Sequence, residues 1–190
     1  MSLYRRGGKR FTDIVLSSTG LLIFALPMLW IAWRISRELR TSFLFRQIRV
    51  GYRGRKFFIM KFRTISSSGA TPAFCRWLRS TALDELPQLF HFFRGQMSIV
   101  GPRPIIPEEL SELESIPQGR HRLEIRPGLA GLAQVRGPKV PPLSERLQWD
   151  VAYTQDYSFK MDASIILKSI WITFAGAWEP AYPQKKLEVT

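Results

Sequence analysis

Asp84 and Glu85 stand side by side, directly ahead of Leu86-Pro87 in the stretch RSTALDELPQLFHFFRGQMSIVGPRP, residues 79–104. A deprotonated aspartate can attack phosphorus and form an aspartyl phosphate. A neighbouring glutamate can bind Mg²⁺ or manage a proton, because magnesium is usually held by one or two carboxylates together with substrate phosphates. Arg103, braced in Gly101-Pro-Arg-Pro104, presents a guanidinium on a stiff turn suited to clamping a phosphate. Either Thr81 caps a helix whose first turn holds the two acids, or Pro87 is the first helical residue and the acids precede it. Both placements set the acids at the positive end of a helix, where anions are favoured. Consecutive helical residues point about 100° apart, so the two carboxylates are not expected to act as a symmetric pair unless Pro87 distorts the helix. The plain alternative is a solvated acid pair ahead of a core helix.

The elements that would hold this pair follow from periodicity. Leu86, Leu89, Phe90 and Phe93 recur at i, i+3, i+4 and i+7, so that face seeks a core or a membrane, and Gly95 supplies a stop. Residues 43–65 are rich in aromatic and β-branched residues around Gly51-Tyr-Arg-Gly54, which predicts a β-hairpin. Arg46, Arg49, Arg53, Arg55, Lys56, Lys61 and Arg63 cluster there, either as a solvated basic hairpin or as a phosphate-binding platform. A loop over 66–72 leads to a helix over 73–80 carrying Arg76 and Arg79. An acidic helix is expected over 107–115, started by Pro107. Another spans 144–157 with Asp150 and Tyr153. In the last, Asp162 is a candidate cap, and Ile166, Leu167, Ile170, Trp171 and Phe174 share a face that, with Trp178, meets either membrane or core.

Residues 14–33 form a twenty-residue run without a charge, which requires a membrane. Length alone fits a spanning helix. Pro27 inside the run breaks or kinks a helix, and cationic residues flank both ends: Arg5, Arg6, Lys9 and Arg10 before, Arg34, Arg37 and Arg40 after. Equal flanks fit a helix that enters, bends at Pro27 and returns to the same face; the sequence alone leaves both courses open.

The 190 residues carry a net charge of +13. The first 63 hold 14 of the 28 Lys and Arg but only Asp13 and Glu38 as acids, so they carry +12 of that total. Such a distribution calls for an anionic partner: nucleic acid, anionic lipid or a phosphorylated substrate. No RRM-type RNA signature is present. Cys75 is the single cysteine, which excludes an internal disulfide, and with only His91 and His121 no clustered zinc site is visible.

From about Lys9 to Thr173, the ordered motifs resemble the monotopic phosphoglycosyl transferases of the bacterial sugar transferase family. They are Lys9-Arg-Phe-Thr-Asp13, Phe45-Arg-Gln-Ile-Arg-Val-Gly51, Lys61-Phe-Arg-Thr64, Leu83-Asp-Glu-Leu-Pro-Gln88 and Met97-Ser-Ile-Val-Gly-Pro-Arg-Pro104. Arg126-Pro-Gly128, Gly131-Leu-Ala-Gln-Val135 and Asp150 through Tyr153 to Asp162 complete the order. Singly these motifs are weak; in sequence they are specific. The resemblance implies an α+β, mostly helical fold with a re-entrant membrane helix over 1–40 broken at Pro27. A compact catalytic domain over 41–178, a small β-hairpin, amphipathic interfacial helices and a tail over 179–190 would follow. It implies transfer of a sugar 1-phosphate from a UDP-sugar to polyprenol (undecaprenyl) phosphate with release of UMP, at the cytoplasmic face of a bacterial inner membrane. Asp84 would be the nucleophile and Glu85 its partner, with both as candidate Mg²⁺ ligands. Arg103, Lys61, Arg63 and Arg79 would bind phosphate. Membrane lipid is an implied partner, nucleic acid is not, and a homodimer is left open.

Several positions depart from the family pattern. Leu26-Pro27 replaces Ser-Pro, His91 and Gln96 stand where Asn and Asp are usual, Leu132 replaces Trp, and Arg136-Gly-Pro138 replaces a polar turn. The loop after Thr64 is short. By the resemblance, a minimal form without the multi-span region of larger relatives is expected. The rival from another class is a non-catalytic basic membrane scaffold holding anionic lipid or RNA.

Overall fold

The computed structural model describes residues 3–136 and 142–175. Its elements are mostly helical. A short π-helical turn, Tyr4–Gly8, leads into α1, Lys9–Leu39, whose 31 residues make a rod of about 46 Å. Then come β1 (Leu44–Val50), β2 (Lys56–Phe62), α2 (Ala73–Ser80), a 3-10 turn over Leu83–Gln88, α3 (Leu89–Arg94) and β3 (Ser98–Val100). The remainder is α4 (Leu110–Ser115), β4 (Gly128–Ala130), α5 (Leu132–Arg136), α6 (Leu143–Asp156) and α7 (Phe159–Phe174), with 3-10 turns over Pro107–Glu109 and Gly119–Glu124.

The break expected at Pro27 is not present as an interruption. Helical backbone runs through Pro27 to Leu39, because a proline removes a single backbone donor and a long apolar helix has many others to sustain it. How α1 meets the rest of the chain is more informative. Near its start, Asp13 and Ser17 are buried; near its end, Ile31, Ile35 and Leu39 are buried; residues 22–27 are exposed on every side. Ile31, Ile35 and Leu39 pack with Phe62, Cys75 and Leu78 from β2 and α2. At the other end, Arg10 donates to the carbonyl of Phe93 at 2.8 Å, and the Asp13 carboxylate accepts from Ser98 Oγ and the Ile99 amide, each at 2.9 Å. Both ends are therefore fastened to the same body while the middle stands clear of it.

The predicted hairpin forms with Leu44 opposite Phe62 and Val50 opposite Lys56, closed by a tight turn in which Arg53 adopts φ +56°. A second, parallel pair, β3 with β4, was not expected, because strands of three residues carry no readable alternation. Its pairing sets Gly101 against Gly128 so closely that a Cβ on Gly128 would lie 2.1 Å from the Gly101 nitrogen. Two motifs far apart in sequence, Gly101–Pro104 and Arg126–Gly128, are thereby pressed together.

Two local expectations, for Thr81 and Asp162, are corrected, and the stripe on α3 is located. The hydroxyl of Thr81 donates to the carbonyls of Trp77 and Leu78, so Thr81 closes α2 rather than opening the next helix. Asp162 is not the cap of α7. Ser158 is, and Asp162 lies buried in the first turn, accepting from Tyr153 at 2.6 Å and from Tyr4 and Lys9. Of the stripe Leu86, Leu89, Phe90 and Phe93, the last two are exposed; α3 begins only at Leu89, and its core side is His91 and Phe92. Leu167, Ile170, Trp171 and Phe174 on α7 are exposed as well. Trp178 and the tail over 179–190 lie outside the described residues.

Candidate active site

Asp84 and Glu85 sit in the 3-10 turn Leu83–Gln88, entered through Ala82 in the left-handed region at φ +55°. Pro87 lies within this turn, and the two acids differ in burial. Glu85 is 9 % exposed, whereas Asp84 is less deeply buried. A solvated pair is thus excluded for Glu85, and the asymmetry expected from adjacent helical positions is present.

Glu85 Oε1 accepts from Lys61 Nζ and, at 3.1 Å, from Arg103 Nη2. Lys61 comes from the end of β2 and Arg103 from the proline-braced turn, so hairpin, dyad and turn are pinned at one carboxylate oxygen. Burial alone would push Glu85 up, but the two cations outweigh it and hold the acid down at about 2. For Asp84, burial and the Glu85 charge push its carboxyl up to about 6, against the pull of Lys61, Arg79 and Arg103. The neighbours have opposite protonation tendencies, a pattern found where acids are set up for different tasks. Glu85 raises Arg103 above its ordinary value, and burial lowers Lys61.

Of the sequence candidates, Lys61 and Arg103 meet Glu85 directly, and Arg79 acts on Asp84 through its charge. Arg63 is not among the groups that contact the acids. Its Nε and Nη2 donate to the carbonyls of Ser42 and Leu44, holding the hairpin base at 2.9 and 3.3 Å. Arg49, read only as part of a basic cluster, turns inward, donates to the Pro104 carbonyl at 3.3 Å and to Gln47 at 2.7 Å, and is lowered to about 10 chiefly by burial.

Two supports went unread in the sequence. Arg122, 3 % exposed, donates from Nη2 to the Arg103 carbonyl and to buried Asp150, both at 2.6 Å. No spacing rule links residues 28 apart in sequence on a turn and a helix. His91, also buried, accepts the Met60 amide on Nε2 at 3.1 Å and pairs through Nδ1 with Gln96 at 2.8 Å, stapling β2 to α3 one residue before Lys61. Both His91 and Gln96 depart from the resembled pattern, and here they bond each other.

For a divalent cation, the donor set is split. Glu85 Oε1 is committed to two cations, whereas Asp84 is less deeply buried and, among the described residues, no side-chain hydrogen bond or ion pair occupies its carboxylate, so Asp84 fits a magnesium ion shared with substrate phosphate and Glu85 fits less well. Among the described residues no cluster of three or more His, Cys, Asp or Glu offers an all-protein cage.

The site thus holds a buried, cation-locked glutamate beside a less buried aspartate, on a body that carries a long apolar helix. The family model for bacterial sugar transferases matches residues 4–176, and the chain belongs to that family. It is 32 % identical over 187 residues to a UDP-glucose:undecaprenyl-phosphate glucose-1-phosphate transferase of Klebsiella pneumoniae, covering 87 % of this chain but 40 % of that protein. It is 35 % identical to the protein of the same name from Caulobacter vibrioides, covering 85 % of this chain and 68 % of the relative. With the exopolysaccharide production protein ExoY of Rhizobium meliloti it shares 32 % identity, over 85 % of this chain and 83 % of the relative.

Proposed function

We propose that the protein transfers a sugar 1-phosphate from a UDP-sugar to undecaprenyl phosphate, releasing UMP, in an early membrane step of polysaccharide assembly. The observation that carries this reading is the opposed pair: Glu85 held ionised by Lys61 and Arg103, and beside it an Asp84 that is less buried and whose carboxyl is pushed up to about 6 by burial and by Glu85. Three relatives named for glucose-1-phosphate transfer or exopolysaccharide production support the substrate class.

In this mechanism an Asp84 carboxylate oxygen forms a bond to the sugar-proximal phosphorus. The bond from that phosphorus to the bridging oxygen breaks, and UMP leaves with the electron pair. A phosphate oxygen of the polyprenol phosphate then attacks the same phosphorus, the Asp84–phosphorus bond breaks, and the carboxylate is restored. Arg103 and Lys61, already fixed by Glu85, need no reorganisation to face the developing charge on phosphate oxygens. Bound magnesium, held by Asp84 and substrate phosphate, would offset the repulsion between the carboxylate and two anionic substrates. The fastening of both α1 ends to one body and the all-round exposure of residues 22–27 between them support a re-entrant course, with that middle stretch in lipid and the site at the cytoplasmic face. The direct test is purified protein with Mg²⁺, undecaprenyl phosphate and a panel of UDP-sugars. UMP release and lipid product are expected with at least one donor, and no turnover of any donor would contradict the reading.

A further inference from the structure

Along one edge β2 pairs with β1; along the other it is met by a side chain. Arg63 donates to the Phe43 carbonyl across the hairpin, so by antiparallel alternation the amides of Lys61 and Ile59 face β1. The Met60 amide points the other way, and His91 Nε2 accepts it at 3.1 Å. We propose that this bond makes His91 the positioning residue for Lys61, and that it does so as a single tautomer, protonated at Nδ1. The role rests on the transfer reading above only for the task it gives Lys61. The tautomer follows from the partners. An amide can only donate, so Nε2 must accept, and Nδ1 carries the proton that it gives to Gln96 Oε1 at 2.8 Å. Burial lowers His91 below its ordinary value, which favours the neutral ring that this arrangement requires.

The ring is itself held in place. Gly95 turns the chain through the left-handed region at φ +73°, and the amides of Gln96 and Met97 donate to the His91 carbonyl at 3.0 and 3.2 Å. That return brings the Gln96 side chain to Nδ1, and the Phe57 ring stands edge-on to the imidazole with centroids 5.6 Å apart. Three consecutive residues of β2 then have three different ties. Ile59 is buried with Phe92 and Met97, Met60 is bonded to His91, and Lys61 meets Glu85. The apolar cluster already joins β2 to α3, but apolar contact is non-directional and tolerates sliding. A hydrogen bond to a ring nitrogen is directional and fixes where along α3 the strand lies. Lys61 is the next residue, and it acts on both acids, by contact with Glu85 and by charge on Asp84. Without the Met60 bond the strand stays packed while Lys61 shifts from Glu85, and a small misplacement of a charged group costs rate before it costs fold.

The experiment uses the full-length protein in detergent, and two of its readouts need no substrate. The chain has two histidines, so the ring-nitrogen NMR shifts of His91 are read against those of His121. The Nδ1–H tautomer is expected at neutral pH, and an Nε2–H ring overturns the proposal without any variant. The second readout is the rate at which acetic anhydride acylates Lys61, followed by peptide mass. His91→Leu removes the acceptor, whereas His91→Gln returns one near the Nε2 position. In His91→Leu, Lys61 acylation is expected to be about tenfold faster and kcat for transfer about tenfold lower, with His91→Gln recovering most of both. A role in folding alone would lower the melting temperature of His91→Leu and leave Lys61 acylation in the folded protein unchanged. That result, or no recovery in His91→Gln, overturns the proposal. Should His91→Leu fail to fold, Gln96→Leu, which frees the tautomer, is read in its place, and an unchanged Lys61 rate there overturns it equally. A wild type with the expected tautomer and acylation rates but no turnover of any UDP-sugar overturns the transfer reading and not the positioning of Lys61.

Discussion

Asp84 and Glu85 differ by one position and by nearly everything that governs their chemistry. Glu85 has two cations on one oxygen and is lowered to about 2; Asp84 is raised to about 6 by burial and by Glu85 itself. Because the Asp84 proton is bound more tightly in the folded state than in the unfolded chain, its ionised form costs stability above pH 6, and that cost fades as pH falls toward 4. Asp84→Asn is therefore expected to abolish transfer while raising the unfolding temperature at pH 8, with the gain shrinking toward pH 4.5. Thermal melts across that range check it. If, as proposed, the Asp84 carboxylate is the nucleophile, the same raised value places the acid limb of kcat/KM near pH 6; a pH–rate profile reads this directly. Glu85→Gln acts oppositely: it leaves Lys61 and Arg103 facing one another in a buried site, and roughly 3 kcal/mol of stability should be lost, measured by denaturant unfolding.

At the scale of elements, the site depends on contacts between segments that the chain separates widely. The hairpin, α2, α3, the acidic helix and α6 were all legible, because apolar periodicity and Gly or Pro punctuation mark them. The dyad and Arg103 were legible as residue types in a spacing. What was not legible was what packs behind them. β3 and β4 are three residues each, too short to show a period, yet their pairing brings Gly101 to Gly128 and so aims Arg103. Asp150 reads as one acid on an amphipathic helix, and only the fold reveals it bound to Arg122 beneath the Arg103 carbonyl. Asp162 looked like a cap because it falls in a first turn; tertiary contacts with Tyr4, Lys9 and Tyr153 claim it instead. Asp150→Asn should accordingly lower both stability, by roughly 3 kcal/mol, and turnover, because the Arg122 guanidinium loses its buried counter-charge. Tyr153→Phe, far from the dyad, should lower stability by about 1 kcal/mol and leave donor KM unchanged.

For the whole molecule, α1 decides how the protein meets its membrane. A rod of about 46 Å exceeds the roughly 30 Å hydrocarbon core, so length permits a crossing. The contacts argue otherwise. Lys9, Arg10 and Asp13 are bonded to the same body that buries Ile31, Ile35 and Leu39, and residues 22–27 alone stand free. Exposed Phe90, Phe93, Leu167 and Trp171 add apolar surface on α3 and α7. With Cys75 replaced by alanine, single cysteines at Leu3 and Arg55 should react with a membrane-impermeant reagent from the same side of sealed vesicles, and one at Leu26 should be shielded. Labelling of Leu3 and Arg55 from opposite sides would require a spanning helix. In the proposed reaction the basic first third of the chain would face anionic headgroups and two phosphorylated substrates at once.

The most direct measurement of the central claim is the mass of the protein after exposure to a UDP-sugar substrate and Mg²⁺ without lipid acceptor. The account predicts one phosphosugar per chain, mapped to Asp84, discharged on adding undecaprenyl phosphate, and absent from Asp84→Asn. Full transfer activity in Asp84→Asn, or a phosphosugar mapped to another residue, would contradict it.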